Sequence, residues 1–189
     1  FLASTDSWFR PVNMYTGPDG ALYVLDYYRK IIEHPEWMAE EVVQSGGLYD
    51  GTEKGRIYRI TPTGVKSINQ PKGLLLGNAS IEQLVDALAS PNIWWRRNAQ
   101  RLLVDRKDKK AIPLLKLMAK NTEYPLGRLH ALWTLQGFGQ LSTEIVKEGL
   151  TDEVSGIREN AIKLAESYLD DASIIHALLA LQNDEDPKV

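Results

Sequence analysis

The chain has 189 residues, with 22 Lys and Arg against 25 Asp and Glu, a formal net charge of −3 and no cysteine. The charge is spread evenly: residues 1–76 carry eight basic against nine acidic side chains, and the remainder fourteen against sixteen. Neither half has the basic excess that a phosphate backbone demands, so nucleic acid is not an expected partner. The missing thiols exclude disulfides, thiolate metal sites, iron–sulfur clusters and covalent haem attachment within this stretch. A hydrophobic content of 43% suffices for an ordinary buried core, and no apolar run approaches a membrane span. The opening Phe1-Leu2-Ala3-Ser4 has neither an initiator Met nor a basic signal region, and reads as a piece of something longer.

The first ordered stretch is Phe9–Tyr28. Gly17-Pro18-Asp19-Gly20 is a turn: Pro18 pre-sets φ, Asp19 can bond its own backbone, and Gly20 accepts a positive φ. Val12, Met14 and Thr16 alternate before it, and Leu22, Val24 and Asp26 after it, which predicts an antiparallel hairpin. The hairpin delivers Asp26-Tyr27-Tyr28-Arg29 to the end opposite the turn. Residues 29–54 then form a long loop, with a short helix expected around 31–37 and helical turns at 38–44. Gly55–Ile60 returns as a strand, with Ile57 and Arg59 on one face and Tyr58 and Ile60 on the other. A short edge strand is expected at 65–68, and residues 69–79 read as a Pro- and Gly-punctuated linker that lays Leu74-Leu75-Leu76 on an apolar surface.

From Ser80 the period becomes helical. Ser80 and Gln83 make a capping box, and Ile81, Leu84, Val85 and Leu88 share a face. Arg-x-x-Ala then recurs as Arg96/Ala99, Arg128/Ala131 and Arg158/Ala161, the arginines 32 and 30 residues apart. Breaks are expected near 90–93, 121–125 and 151–153, each preceded by another amphipathic helix, so the pattern predicts stacked helical pairs. Each Ala permits close helix contact. Each Arg can reach carbonyls or acids of the neighbouring repeat and set the stacking register. A last helix at 173–182 is expected to carry an apolar face without a following partner, and Asp184–Val189 reads as the turn before a further Arg.

Two passages resemble a known family. S-W-F-R-P-V-N-M-Y-T-G-P-D-G-A-L-Y-V-L-D-Y-Y-R-K-I-I-E-H-P-E-W at 7–37, closed by G-R-I-Y-R-I at 55–60, resembles membrane-bound dehydrogenases with a glucose/sorbosone-dehydrogenase-like β-propeller. S-P-N-I-W-W-R-R-N-A-Q-R-L-L-V-D-R at 90–106 and R-L-H-A-L-W-T-L-Q-G-F-G at 128–139 look like the HEAT-type repeats that follow that propeller. The resemblance implies residues 1–68 as terminal antiparallel propeller strands, 69–79 as a linker, and 80–189 as an armadillo-like α-α superhelix cut in mid-repeat. It further implies a periplasmic or exported protein, attached to a membrane through other segments, and haem c in a segment not included here.

The same resemblance implies a role for Arg10, since an arginine just before the strand leading to the P-D-G turn contacts the quinone in propeller-type sugar dehydrogenases. The competing reading is structural: Arg10 pairs with Asp26 or Asp6. Asp26, Tyr27, Tyr28, Arg29, Glu33 and His34 form the candidate rim of a propeller mouth, where carboxylates and an imidazole suit either metal binding or acid–base chemistry, and the bland alternative is a hydrogen-bonded loop. The expectation is that Arg10, Asp26, Tyr28 and His34 converge there, with no metal assigned. Trp94, Trp95 and Trp133 suggest a carbohydrate platform but, at helical spacing, read as core. His130 and His176 read as structural, and Lys107–Lys110 as a solvated loop. Two function classes follow: an exported sugar or alcohol oxidoreductase with a quinone (pyrroloquinoline quinone in the full-length parent) or a metal in the propeller mouth, or a non-catalytic propeller–solenoid scaffold holding a protein or polysaccharide.

Overall fold

A computed structural model describes residues 2–64 and 75–189, and the chain divides into two units, 1–70 and 71–189. The expected edge strand at 65–68 and most of the expected linker, including Leu74, lie outside the described residues.

In the first unit the turn forms as its residues require. Gly17 N–H donates to Ala21 O at 2.8 Å, Asp19 Oδ1 accepts from Ala21 N–H at 3.2 Å, and Gly20 takes φ 77°. It joins β1 (Pro11–Thr16) to β2 (Leu22–Asp26), which pairs on its other side with β3 (Arg56–Ile60). All pairings are antiparallel. Met14, Val24 and Tyr58 share one rung, and Asn13, Leu25 and Ile57 the next, on the opposite face. The loop between β2 and β3 holds a 3-10 turn at Pro35–Trp37 and α1 (Glu40–Gln44).

The expected fold class, terminal propeller strands followed by an α-α superhelix, is corrected here. Among the described residues there is one small three-stranded sheet in the order β1-β2-β3, and there are eight α-helices, so the chain is mixed α and β with roughly half its residues helical. The strands pair with their sequence neighbours as a simple meander, and among the described residues β1 and β3 are the edges of the sheet. Pro11–Thr16 is solvent-exposed along its whole length. What the alternation pattern encodes is a local hairpin plus one strand, and such a pattern carries no information about further blades.

The second unit begins at the capping box. Ser80 Oγ accepts from Gln83 N–H at 3.2 Å and Gln83 Oε1 accepts from Ser80 N–H at 2.9 Å, opening α2 (Ile81–Ala87). There follow α3 (Ile93–Arg106), α4 (Ala111–Met118), α5 (Pro125–Gly137), α6 (Thr143–Leu150), α7 (Ser155–Ala165) and α8 (Ala172–Ala180). The main breaks fall at 88–92, 119–124 and 151–154, beside the positions expected from the Arg-x-x-Ala period. Helices α2 and α3, α4 and α5, and α6 and α7 pack as pairs, and α3, α5 and α7 pack in succession. On the other side α2 meets α4 and α6 meets α8, while α4 and α6 scarcely touch. Leu84, Leu103, Leu115, Leu135, Leu150 and Ile174 are fully buried in one continuous core. The face of α8 that leaves Leu179 61% exposed is the apolar surface expected at the end of the helical series.

Candidate functional site

The last rung of the sheet pairs Pro11 with Asp26 and Asp26 with Arg56, and the β1–β2 register shifts between Pro11 and Asn13. Asp26 is 3% exposed and its carboxylate is fully engaged. Oδ1 accepts from Arg10 N–H at 2.8 Å and Tyr28 N–H at 2.9 Å, and Oδ2 accepts from the Tyr58 hydroxyl at 3.3 Å. Beyond it the backbone continues to pair, Tyr27 N–H to Arg10 O and Arg29 N–H to Trp8 O. Arg10 and Asp26 therefore do meet at the end opposite the turn, as antiparallel pairing demands. They meet through the Arg10 backbone. The guanidinium instead donates to Ser7 O, to Phe9 O at 3.1 Å and to Lys30 O at 3.3 Å.

Tyr28 joins this cluster in a left-handed conformation, φ 47°. Its hydroxyl donates to Asp6 Oδ2 at 2.9 Å, its ring lies 5.7 Å from that of Trp8, and the Arg56 guanidinium sits 3.7 Å over its face. The Trp8 backbone N–H, and then the Tyr28 hydroxyl, hold the Asp6 carboxyl below the ordinary range. Arg29 closes the long loop. It donates to Tyr27 O, Tyr28 O, Gly51 O and Thr52 O, and lies 4.4 Å over the Tyr27 ring. Gly51 is required at that closure: it takes φ 86°, and a Cβ there would stand 2.7 Å from Tyr28 O.

His34 and Glu33 do not join. The His34 side chain is 80% exposed, with Nδ1 3.8 Å from Glu36, and Glu33 accepts from the His34 backbone N–H at 3.0 Å. The cluster gathers residues that the sequence pattern left aside, Trp8, Arg56 and Tyr58, and Asp6 enters it as the acceptor of the Tyr28 hydroxyl. The strand alternation placed Tyr58 on the face opposite Ile57, but only the β2–β3 register brings it against Asp26. Among the described residues no group of acids and histidines is arranged to hold a metal ion.

In the helical unit the three repeat arginines are buried, at 6%, 2% and 8% exposure. Each donates to a carbonyl of the break before its own helix: Arg96 to Ser90 O, Arg128 to Asn121 O and Arg158 to Asp152 O. Two also reach the next break. Arg128 Nη2 lies 2.8 Å from Asp152 Oδ1, and Arg158 forks onto Asp184 at 2.7 and 2.8 Å. These carboxylates also cap their own turns, accepting from Val154 N–H and Asp186 N–H. The corresponding residue after Arg96 is Asn121, which caps Glu123 N–H in the same way. Among the described residues Arg96 makes no ion pair within 4 Å, and the Nε atoms of Arg96 and Arg128 are buried without a partner. Burial lowers the pKa of Arg96. Ala99, Ala131 and Ala161 are fully buried, as close helix packing requires.

Between helices, His130 Nδ1 lies 2.6 Å from Gln100 Oε1, and Trp133 Nε1 donates to Asn160 at 3.0 Å. Burial, and then the charges of Arg96 and Arg97, push His130 down to about 4. Trp95 is buried and stands edge-on to Trp94, while His176 is exposed. Arg106 was missed in the sequence. It donates to Leu76 O, Gly77 O and Ala79 O, fastening the segment that leads into α2.

Where α4 and α6 part, a cleft of about 450 Å3 opens. Leu132, Ile145 and Ile157 give it apolar walls, Arg128 and Asp152 lie in its lining, and Lys120 and Glu148 stand across it 2.7 Å apart.

Residues 1–64 match the family model for a domain of unknown function, DUF7133. That span is 64 of 189 residues and stops short of the helical unit. No curated protein matches the chain. No helix among the described residues is long and apolar enough to cross a membrane.

Proposed function

We propose that this chain is a non-catalytic binding module whose helical unit engages a protein partner. The observation that carries the reading is how the polar groups at the expected site are engaged. Arg10 holds three backbone carbonyls, Asp26 three donors, and Arg29 four carbonyls. Groups bound in this way order a loop; they are not free to polarise a substrate or take its proton. The helical unit, by contrast, keeps an open cleft within the size range of ligand pockets. A quinone-dependent sugar or alcohol dehydrogenase would need the Arg10 guanidinium to leave those carbonyls on binding.

Dye-linked oxidation of sugars and alcohols, with and without added pyrroloquinoline quinone, tests the reading on the whole chain. No turnover is expected, and Arg10→Ala should lower thermal stability without affecting any quinone titration by calorimetry. Turnover that Arg10→Ala abolishes would overturn the module reading.

A further inference from the structure

We infer that the cleft between α4 and α6 is a docking groove for an extended peptide that alternates aliphatic and basic side chains; this rests on the binding-module reading. The groove is a departure from the repeat. The outer helices α2 and α4 pack together, as do α6 and α8, but α4 and α6 are separated and the space between them is open. Its floor is apolar, from Leu132, Ile145 and Ile157, with Gly149 adding no side chain of its own. Aliphatic side chains are what such walls exclude water for.

Charge selects the rest of the partner. The buried cation in the lining is already neutralised, Arg128 by Asp152 at 2.8 Å. The pair across the opening, Lys120 and Glu148, is 59% and 52% exposed, and such pairs contribute little and exchange readily. Glu153, also in the lining, has no cation within 4 Å among the described residues. It is shared with an adjoining hollow of about 350 Å3 whose lining adds Glu185 and Asp186. There Arg158 is likewise neutralised, by Asp184 at 2.7 Å. Arg128 and Arg158 thus each have their own carboxylate, and the surplus charge along the two hollows is acidic. A peptide that sets Leu or Ile into the first hollow would place flanking Lys or Arg beside Glu153 and Glu185. Peptide N–H groups would find further acceptors in Glu148.

The probes are two capped peptides, Ac-Lys-Leu-Lys-Leu-Lys-amide and Ac-Glu-Leu-Glu-Leu-Glu-amide, titrated into the 15N-labelled chain. The basic peptide should shift amides around Thr122, Gly149 and Glu153, with an affinity that falls as salt rises. Glu153→Gln together with Glu185→Gln should weaken it about tenfold. Neither carboxylate holds a buried cation, so both variants should keep the wild-type spectrum elsewhere. Equal binding of the acidic peptide, or no shift with either, overturns the groove assignment. Shifts confined to another face of the helices would also overturn it while leaving the module reading standing. Quinone-dependent turnover would remove that reading separately.

Discussion

The two units are held together by different physics. In the helical unit, residues from Leu76 to Ile174 share one hydrophobic core, and the repeat arginines and their carboxylates pin the turns around it. In the sheet unit, Ala21 and Val24 are the buried apolar residues among those described, while Val12, Met14, Ile57 and Trp37 are exposed. There the long loop is ordered by arginine and aspartate side chains gripping backbone. A hydrogen bond made by a charged group contributes about 1.5–3 kcal/mol net, as much as a fully buried Leu, but in the sheet unit each such bond fastens its own short segment, whereas the buried side chains of the helical unit share one core. The helical unit should therefore unfold as one cooperative body, and the sheet unit should open piecemeal.

The largest test of that contrast is Asp152→Ala. It removes the carboxylate from Arg128, whose side chain is 3% exposed, and a buried cation left unpaired costs about 3–5 kcal/mol. Chemical denaturation should show one transition moved to lower denaturant. Two separate transitions in the helical circular-dichroism signal would mean that the helical pairs do not share a single core.

Asp26→Ala should cost about 1–3 kcal/mol, because it strips the acceptor from Arg10 N–H and Tyr28 N–H. Hydrogen exchange should quicken at residues 8–10 and 27–29 while α3 and α5 stay protected. Uniform loss of protection across the whole chain would contradict a locally held loop.

A third test uses pH. His130 titrates near 4 in the folded chain and near 6.5 when unfolded, so the unfolded state binds its proton first. The stability is intact above about pH 6.5 and declines as pH falls from there towards about 4. His130→Gln should flatten the melting temperature over that window. If the slope survives, the acid sensitivity comes from another group. Asp184, held below the ordinary carboxyl range by Arg158, works on the acid side of this window: its contribution is present above its unfolded pKa and is lost as pH falls through the lowered folded value.

The smallest expected effect is a gain. Asn121→Asp would give buried Arg96 the carboxylate that Arg128 and Arg158 already have; desolvating the new carboxylate offsets most of the Coulombic gain, so the helical unit should be stabilised only slightly. Unchanged melting would show that the first junction is built differently from the later two.

Local chemistry was legible in the sequence wherever it decides structure by itself. The Gly17–Gly20 turn, the Ser80–Gln83 capping box and the helical breaks depend on residues within a few positions of one another, and each formed where its residues stand. The recurrence of Arg and Ala at intervals of 32 and 30 residues was legible too, since a packing repeat must return at a nearly constant interval. The number of strands that meet was not legible, because alternation reports which face a residue takes and not how many neighbours the strand acquires. Hence the propeller expectation failed on a sheet of three. Nor could the sequence say that Arg10 would turn to carbonyls, that Asp26 would take the Tyr58 hydroxyl, or that α4 and α6 would part. The Arg10 bond to Lys30 O, the Asp26 bond to Tyr58 and the parting of α4 and α6 each involve residues about twenty or more positions apart, and only the folded chain brings them within the few ångströms at which a hydrogen bond or a gap is decided.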